Sequence, residues 1–256
     1  MELAVLLKQV PDLAEELEID ASGTDLEREW MTLVTNEFDD YALEEALQLR
    51  DEAGGSVTCL ALDTGSADEL LATCLAKGAD RAIKVGSFER QPDSHTAARA
   101  FATALGRVPH DLVLTGVQAI DDLDGQVGPL VAAELDLPHV SVVTHIAIGP
   151  GGRAATVNQE YAGGVVAELE VDLPAVLGVQ TSRVTPRYAP VSRVRQLMKT
   201  AEMGHVEAPT DGGSGLVVEA MALPQTGAGA EMLGGGADAV ADRLVAILRE
   251  RGLLKA

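Results

Sequence analysis

The residues best placed to do chemistry lie in one stretch, residues 111–133, DLVLTGVQAIDDLDGQVGPLVAA. Leu112, Val113 and Leu114 form a short apolar run between Asp111 and Gly116, the pattern of a buried strand. A loop with Asp121, Asp122, Asp124 and Gly125 follows, then a helix carrying Leu130, Val131, Ala132, Ala133 and Leu135. Strand, polar glycine-containing loop and helix together can hold a phosphate. The first N–H groups of a helix have no intrahelical partner, and the helix dipole favours an anion there. Gly125 and Gly128 leave room for close backbone approach, Pro129 suits a first helical turn, and the Gln126 amide can donate a hydrogen. The carboxylates would repel a bare phosphate, so some must point elsewhere, to a ribose hydroxyl or to backbone N–H groups. The same composition also makes an ordinary capped βα loop, and spacing alone leaves both readings open.

The elements that must position this loop read as an α/β chain. Residues 3–7 are a continuous apolar run, a buried strand of a parallel sheet, and KQVPD leaves it at its carboxyl end. Ligands collect at that edge of open α/β sheets, which makes Lys8 and Asp12 candidates. Residues 14–35 are polar and irregular, an excursion with a hairpin around 21–23. Residues 36–52 read as a helix capped by Asn36 or Asp39, with an apolar face of Tyr41, Leu43, Ala46, Leu47 and Leu49 and a stop at Gly54 and Gly55. Strands at 57–62 and 82–85 alternate with helices at 68–77 and 94–105, and this alternation implies a doubly wound, mostly parallel sheet. Residues 140–148, 154–159 and 165–171 read as extended, the last two as an antiparallel hairpin, and 175–179 as one more buried strand. Residues 186–200 are basic, 207–236 are rich in Gly, Ala, Pro and Thr, and 237–254 return to an amphipathic helix. The expected division is an α/β domain over 1–200, followed by an arm and helix over 201–256.

Composition narrows the function classes. There are 40 acids against 19 Lys and Arg, a formal net charge of −21, which argues against nucleic-acid binding. Cys59 and Cys74 make no CxxC and read as reduced, buried thiols in a cytoplasmic setting. No apolar run reaches the length of a membrane span. His95, His110, His139, His145 and His205 share no metal-ligand spacing, so no metal is assigned. There is no GxxxxGK[ST] and no Ser-Gly-Gly-x-Asp-Ser loop for ATP cleavage or adenylation.

Four stretches in order, LLKQVPD, TNEFDDYALEEALQLRDE, GVQAIDDLDGQVGP and TPRYAPVSRVRQLMKT, resemble the electron-transfer flavoprotein beta subunit over about residues 1–200. The resemblance implies a Rossmann-like adenine-nucleotide-binding fold and an electron-transfer protein rather than an enzyme. It implies AMP bound by this subunit and FAD held mainly by an alpha-subunit partner. Acyl-CoA dehydrogenases of fatty acid oxidation, or other flavin dehydrogenases, would be donors, and a quinone reductase or another acceptor would take the electrons. Carried over, Asp121, Asp122, Leu123, Asp124, Gly125, Gln126, Val127, Gly128, Pro129, Leu130, Val131 and Ala132 wrap phosphate and ribose. Asn36, Glu37, Phe38 and Asp39 match a second nucleotide contact, Thr64 a third, and Leu6 a strand-end contact by the adenine. Glu37 stands where the family usually has proline, which puts the rigidity of that turn in question. Phe38 either lies by the flavin or packs as a staple under its own helix. Leu13 falls near a flavin-facing tyrosine of some members.

Residues 187–199 resemble the family's recognition loop. Val191 would be its apolar anchor, with Val194 or Leu197 as alternatives, and Arg187, Tyr188 and Lys199 would orient the partner. Two other functions stay open. One is a bifurcating beta subunit with a second FAD that oxidises NADH, which the run Gln126-Val127-Gly128-Pro129 resembles and Asp122 disfavours. The other is a stand-alone adenine-nucleotide sensor or hydrolase.

Overall fold

The computed structural model describes residues 1–210, 217–224 and 229–254. The chain divides into two compact units, Met1–Glu219 and Ala220–Ala256. The first unit is built on β1 (Glu2–Leu7), β2 (Gln9–Pro11), β3 (Leu33–Thr35), α1 (Glu37–Ala53), β4 (Ser56–Leu62), α2 (Ala67–Lys77), β5 (Arg81–Val85), α3 (Ser94–Leu105), β6 (Leu112–Gly116) and α4 (Val127–Leu135). It continues through β7 (His139–Ile148), β8 (Ala154–Tyr161), β9 (Val165–Asp172), β10 (Ala175–Val179), α5 (Val191–Thr200) and β11 (Gly204–Val206). The second unit contains α6 (Ala237–Glu250), whose Leu244, Val245 and Leu248 are exposed. Among the described residues no helix is long and apolar enough to cross a membrane.

Nine strands form one sheet in the order β11-β5-β4-β1-β6-β10-β7-β8-β9. It is parallel from β11 to β7 and antiparallel through β7, β8 and β9. The expected α/β class, parallel sheet and hairpin are all present. Strand side chains alternate, so β1 sends Leu3, Val5 and Leu7 into the core under α1 and α2, and Ala4 and Leu6 into the core under α3 and α4. Leu43, Leu47 and Leu49 of α1 are almost fully buried, each worth about 2–3 kcal/mol of apolar transfer. From β1 the chain steps outward to β4 and β5, then crosses back to β6 on the other side of β1. The loops that leave β1 and β6 therefore diverge, and a crevice opens at their carboxyl ends.

Several local expectations are corrected. Asn36 occupies the N-cap position of α1 without a side-chain cap bond; its Nδ2 donates instead to the Gln118 carbonyl at 2.9 Å. Asp39 does not cap either, because it is turned inward and buried. The end of the excursion, β3, pairs antiparallel with β2 just before it, and the bridge between Ile19 and Leu26 closes the expected hairpin. The recognition segment is not a loop throughout: Val191–Thr200 is the helix α5, started after Pro190. Residues 204–206, which carry no strong strand pattern of their own, join the sheet beside β5.

Candidate functional site

Asp39 ties the crevice together. One carboxylate oxygen accepts the N–H of Lys8 at 2.8 Å, where β1 ends, and the other accepts the N–H of Gly116 at 2.9 Å, where β6 ends. The first turn of α1 is thereby fastened across both strands. Burial pushes the Asp39 carboxyl up to about 7, against the two backbone donors that favour its charged form. Gly116 makes the contact possible. A Cβ there would stand 2.7 Å from Phe38 Cβ and 2.8 Å from the Asp39 nitrogen, so any side chain would force the helix off the strand.

Lys8 settles the fate of the loop acids. Its Nζ donates to Asp121 Oδ1 at 2.7 Å and to Asp122 Oδ2 at 2.9 Å, and its side chain is only 15% exposed. Burial pulls the ammonium pKa down, and the two carboxylates outweigh that, holding it above the ordinary lysine range. Asp122 Oδ1 also accepts the Asp124 N–H at 3.1 Å. Two of the three loop acids thus share one lysine at the end of β1, which offsets one of their two charges, and Asp122 also meets a backbone donor.

The loop then delivers a helix N-terminus. Leu123 and Gly125 both have positive φ, at 55° and 62°. A Cβ on Gly125 would lie 2.9 Å from the Val117 carbonyl, so glycine is required for the loop to fold back on itself. The first intrahelical bond of α4 runs from Leu130 N–H to the Gln126 carbonyl, which leaves the N–H groups of Val127 and Gly128 without a helical partner. Pro129 has none to leave. Behind them, Gly128 rests on Thr115 and His139; the buried His139 Nε2 has no hydrogen-bond partner among the described residues, and burial lowers its pKa.

The cleft bounded by these groups measures about 560 Å³ with its open mouth. Of the residues expected at the site, Leu6, Asn36, Asp39, Asp122, Gly125, Gln126, Val127 and Gly128 line it. Asp121 stands just behind, on Lys8, and Phe38 is half-buried beside Gly116. Leu123 and Asp124 are exposed outside, while Val131 and Ala132 are buried in the core under α4 with Leu130 packed against them. Thr64 lies at the end of β4, off the lining, with its hydroxyl 3.4 Å from Ser66 Oγ. The opposite wall was missed from sequence: Gln91, Pro92, Ser94, Ala97 and Phe101, from the β5–α3 loop and α3. The Asp93-Ser94 start of a helix following a parallel strand was the available signal, since such helices begin at the ligand edge. Asp93 does cap α3, accepting the Thr96 N–H at 2.9 Å.

Glu37 takes the first helical position of α1, where proline is favoured for its preset φ. The turn carries two hydrogen bonds, from the Asn36 amide to the Gln118 carbonyl and from the Asp40 N–H to the Asn36 carbonyl.

The recognition segment is pinned to α1. Arg187 donates from its backbone, Nε and Nη2 to Glu44 at 2.9–3.3 Å, and Arg183 donates to Glu45 at 3.1 Å. Both glutamates are buried, and Arg187 draws the Glu44 carboxyl below its usual range although burial alone would raise it. Arg187 is therefore engaged within the chain rather than offered to a partner. Val194 is buried and Leu197 half-buried, whereas Val191 is 56% and Tyr188 79% exposed and Lys199 is exposed.

The profile of the family described as Electron transfer flavoprotein domain matches residues 32–225. "Electron transfer flavoprotein subunit beta" of Methylophilus methylotrophus is 34% identical over 199 residues, 77% of this chain and 75% of that one. The chain belongs to the electron transfer flavoprotein beta-subunit family. The protein of the same name from Bacillus subtilis (strain 168) is 30% identical over 202 residues, 78% of this chain and 76% of that one. "Acryloyl-CoA reductase electron transfer subunit gamma" of Anaerotignum propionicum is 31% identical over 201 residues, 77% of this chain and 74% of that one. The matched span of this electron transfer flavoprotein family member takes in α1, the 121–129 loop and α5, the three elements that shape the cleft wall and carry the basic helix.

Proposed function

We propose that the chain is the beta subunit of a heterodimeric electron-transfer flavoprotein, with AMP in the cleft between β1, β6 and α4 and with FAD held mainly by an alpha subunit. The observation that carries the nucleotide is the pairing of an open α4 N-terminus with loop acids that are drawn onto Lys8. Two backbone donors of α4 have no helical partner beside the cleft, and Lys8 offsets one of the two charges of Asp121 and Asp122, so a monophosphate meets donors and reduced repulsion. Gly125 and Gly128 keep the backbone close enough to serve it. Asp122 lines the cleft, and its carboxylate, only partly offset by Lys8, would disfavour the additional phosphate group of an FAD, which favours AMP.

When bound, the flavin supplies the redox chemistry, and this chain orients and covers it. Phe38, in the first turn of α1, and the exposed Leu13, just after β2, would face the flavin. On α5, Val191 remains the exposed apolar anchor, with Arg193, Arg195 and Lys199 as a basic rim in an acidic protein. That surface suits acyl-CoA or other flavin dehydrogenases as donors, with a quinone reductase or other acceptor downstream. The arm from 201 and the amphipathic α6 serve subunit association, and the unpaired Cys59 and Cys74 accord with a cytoplasmic setting.

The test is to co-express the chain with its alpha subunit, denature the purified complex and count released ligands. One FAD and one AMP per heterodimer is the expected result. Two FAD and no AMP would indicate the bifurcating form. ATP turnover by the chain alone, without a complex or flavin, would overturn the proposal in favour of a nucleotide sensor or hydrolase.

A further inference from the structure

The ionisable side chains that line the cleft are Lys8, Asp39 and Asp122. Lys8 and Asp122 are bonded to each other, and Asp121 shares the same ammonium. Asp39 is the exception. It is 6% exposed, makes no ion pair among the described residues, and rests on the N–H groups of Lys8 and Gly116. The Lys8 ammonium pulls on its carboxyl less than burial, those two donors and the Asn36 amide do. Nothing else around it supplies a free charge of either sign. On α1, Glu37 is exposed and Asp40 is paired with Lys77. The opposite wall, from Gln91 to Phe101, brings no titratable side chain to the lining. His139, behind Gly128 and Thr115, is kept in its neutral form by burial.

We infer that the cleft takes up a proton together with its nucleotide, and that Asp39 is the residue that accepts it. This rests on the nucleotide reading above and adds to it a proton as second ligand. A nucleotide in the cleft excludes water and brings negative charge beside a carboxylate that has no cation of its own, and both effects favour the neutral acid. Protonation does not release the strands, because each carboxyl oxygen keeps a lone pair for the N–H of Lys8 or Gly116. The empty cleft holds Asp39 at about 7, within reach of such a change. Below that value both states carry the proton and affinity does not depend on Asp39. Above it the loaded state holds more protons than the empty one, so nucleotide affinity falls as pH rises, and by reciprocity the nucleotide tightens the hold on the proton.

The test counts protons. The heterodimer, stripped of nucleotide, is titrated calorimetrically with AMP at about pH 7.5 in two buffers of different ionisation enthalpy, whose difference in heat gives the protons exchanged. The phosphate of AMP titrates near 6 and is a dianion under these conditions. A carboxyl at about 7 is about one-quarter protonated there, and a negative neighbour that lifts it by about one pH unit brings it to about three-quarters. Wild type should therefore take up about half a proton per AMP. In Asp39→Asn the uptake should vanish. In Asp122→Asn it should persist, and this second variant locates the proton even where Asp39→Asn fails to assemble. AMP binding without uptake in wild type overturns the inference and leaves the nucleotide site standing, as does an uptake that survives Asp39→Asn or is lost in Asp122→Asn. Wild type that binds no AMP overturns the nucleotide reading itself, and this inference with it.

Discussion

Replacing Asp39 by asparagine separates the charge of this residue from its shape. In the folded chain both carboxylate oxygens accept backbone N–H groups, and burial raises the carboxyl from 3.8 to about 7. A raised pKa means the native state holds the proton more tightly than the unfolded chain across that window. Its stabilising share is complete below pH 3.8 and is lost progressively as pH rises through 7. Applied between pH 5 and pH 8, the linkage relation assigns this one group a loss of about 2–3 kcal/mol. Asparagine does not titrate. It also sets an amide N–H against one of the two backbone donors, a fixed cost of about 1–3 kcal/mol that shifts its stability curve without tilting it. The assay is urea denaturation of wild type and Asp39→Asn at several pH values from 5 to 8, followed by far-UV circular dichroism. Relative to the variant, wild type should lose about 2–3 kcal/mol across the series. Parallel curves would show that Asp39 stays charged throughout, with its two N–H partners outweighing burial, and would refute the reasoning.

Other perturbations probe the remaining joints. Gly116→Ala drives a Cβ to 2.7 Å from Phe38 Cβ and should cost about 1–3 kcal/mol, read as a lowered melting temperature together with lost AMP; an unchanged melt would mean that α1 can slide freely. Lys8→Met leaves Asp121 and Asp122 uncompensated at the cleft, and AMP affinity measured calorimetrically should fall about tenfold or more, most steeply at low salt. Unaltered affinity would place the phosphate away from this loop. Arg187→Met strands the buried Glu44 carboxylate, and about 3 kcal/mol of stability should be lost, with faster tryptic cleavage at the exposed Arg193 and Arg195 and with flavin and nucleotide content retained. Cleavage at the wild-type rate would show that α5 is held by Val194 on its own.

The fold was legible wherever the signal is local. Mostly apolar runs marked β1, β4, β6 and β10 because strands buried on both faces favour apolar side chains at successive positions. Glycine after an apolar periodic run marked the ends of α1 and α2. The loop with Gly125, Gln126 and Gly128 stood out because a phosphate-binding turn needs small residues and free N–H groups next to one another in the chain. The helix α5 carries a readable stripe of Val191, Val194, Leu197 and Met198, and its loop reading came from the family resemblance instead. Strand β11 escaped because three residues at a sheet edge carry too few side chains to set a pattern.

What sequence by itself determined about this protein is therefore its doubly wound architecture, its family and the loop that opens α4. Only the tertiary structure decided what the charged residues do. Asp39 reads as a helix cap and is in fact the bolt between β1 and β6, 77 positions from the Gly116 it holds. Asp121 and Asp122 read as ribose or backbone partners, and they meet Lys8 from the opposite end of the domain, while Arg187 reads as partner-facing and lies on Glu44. The physical reason is the range of the interaction. Periodicity records which face of an element is dry, whereas a carboxylate's partner is set by which strand ends the fold brings within 3 Å or so, and that is a property of the assembled sheet.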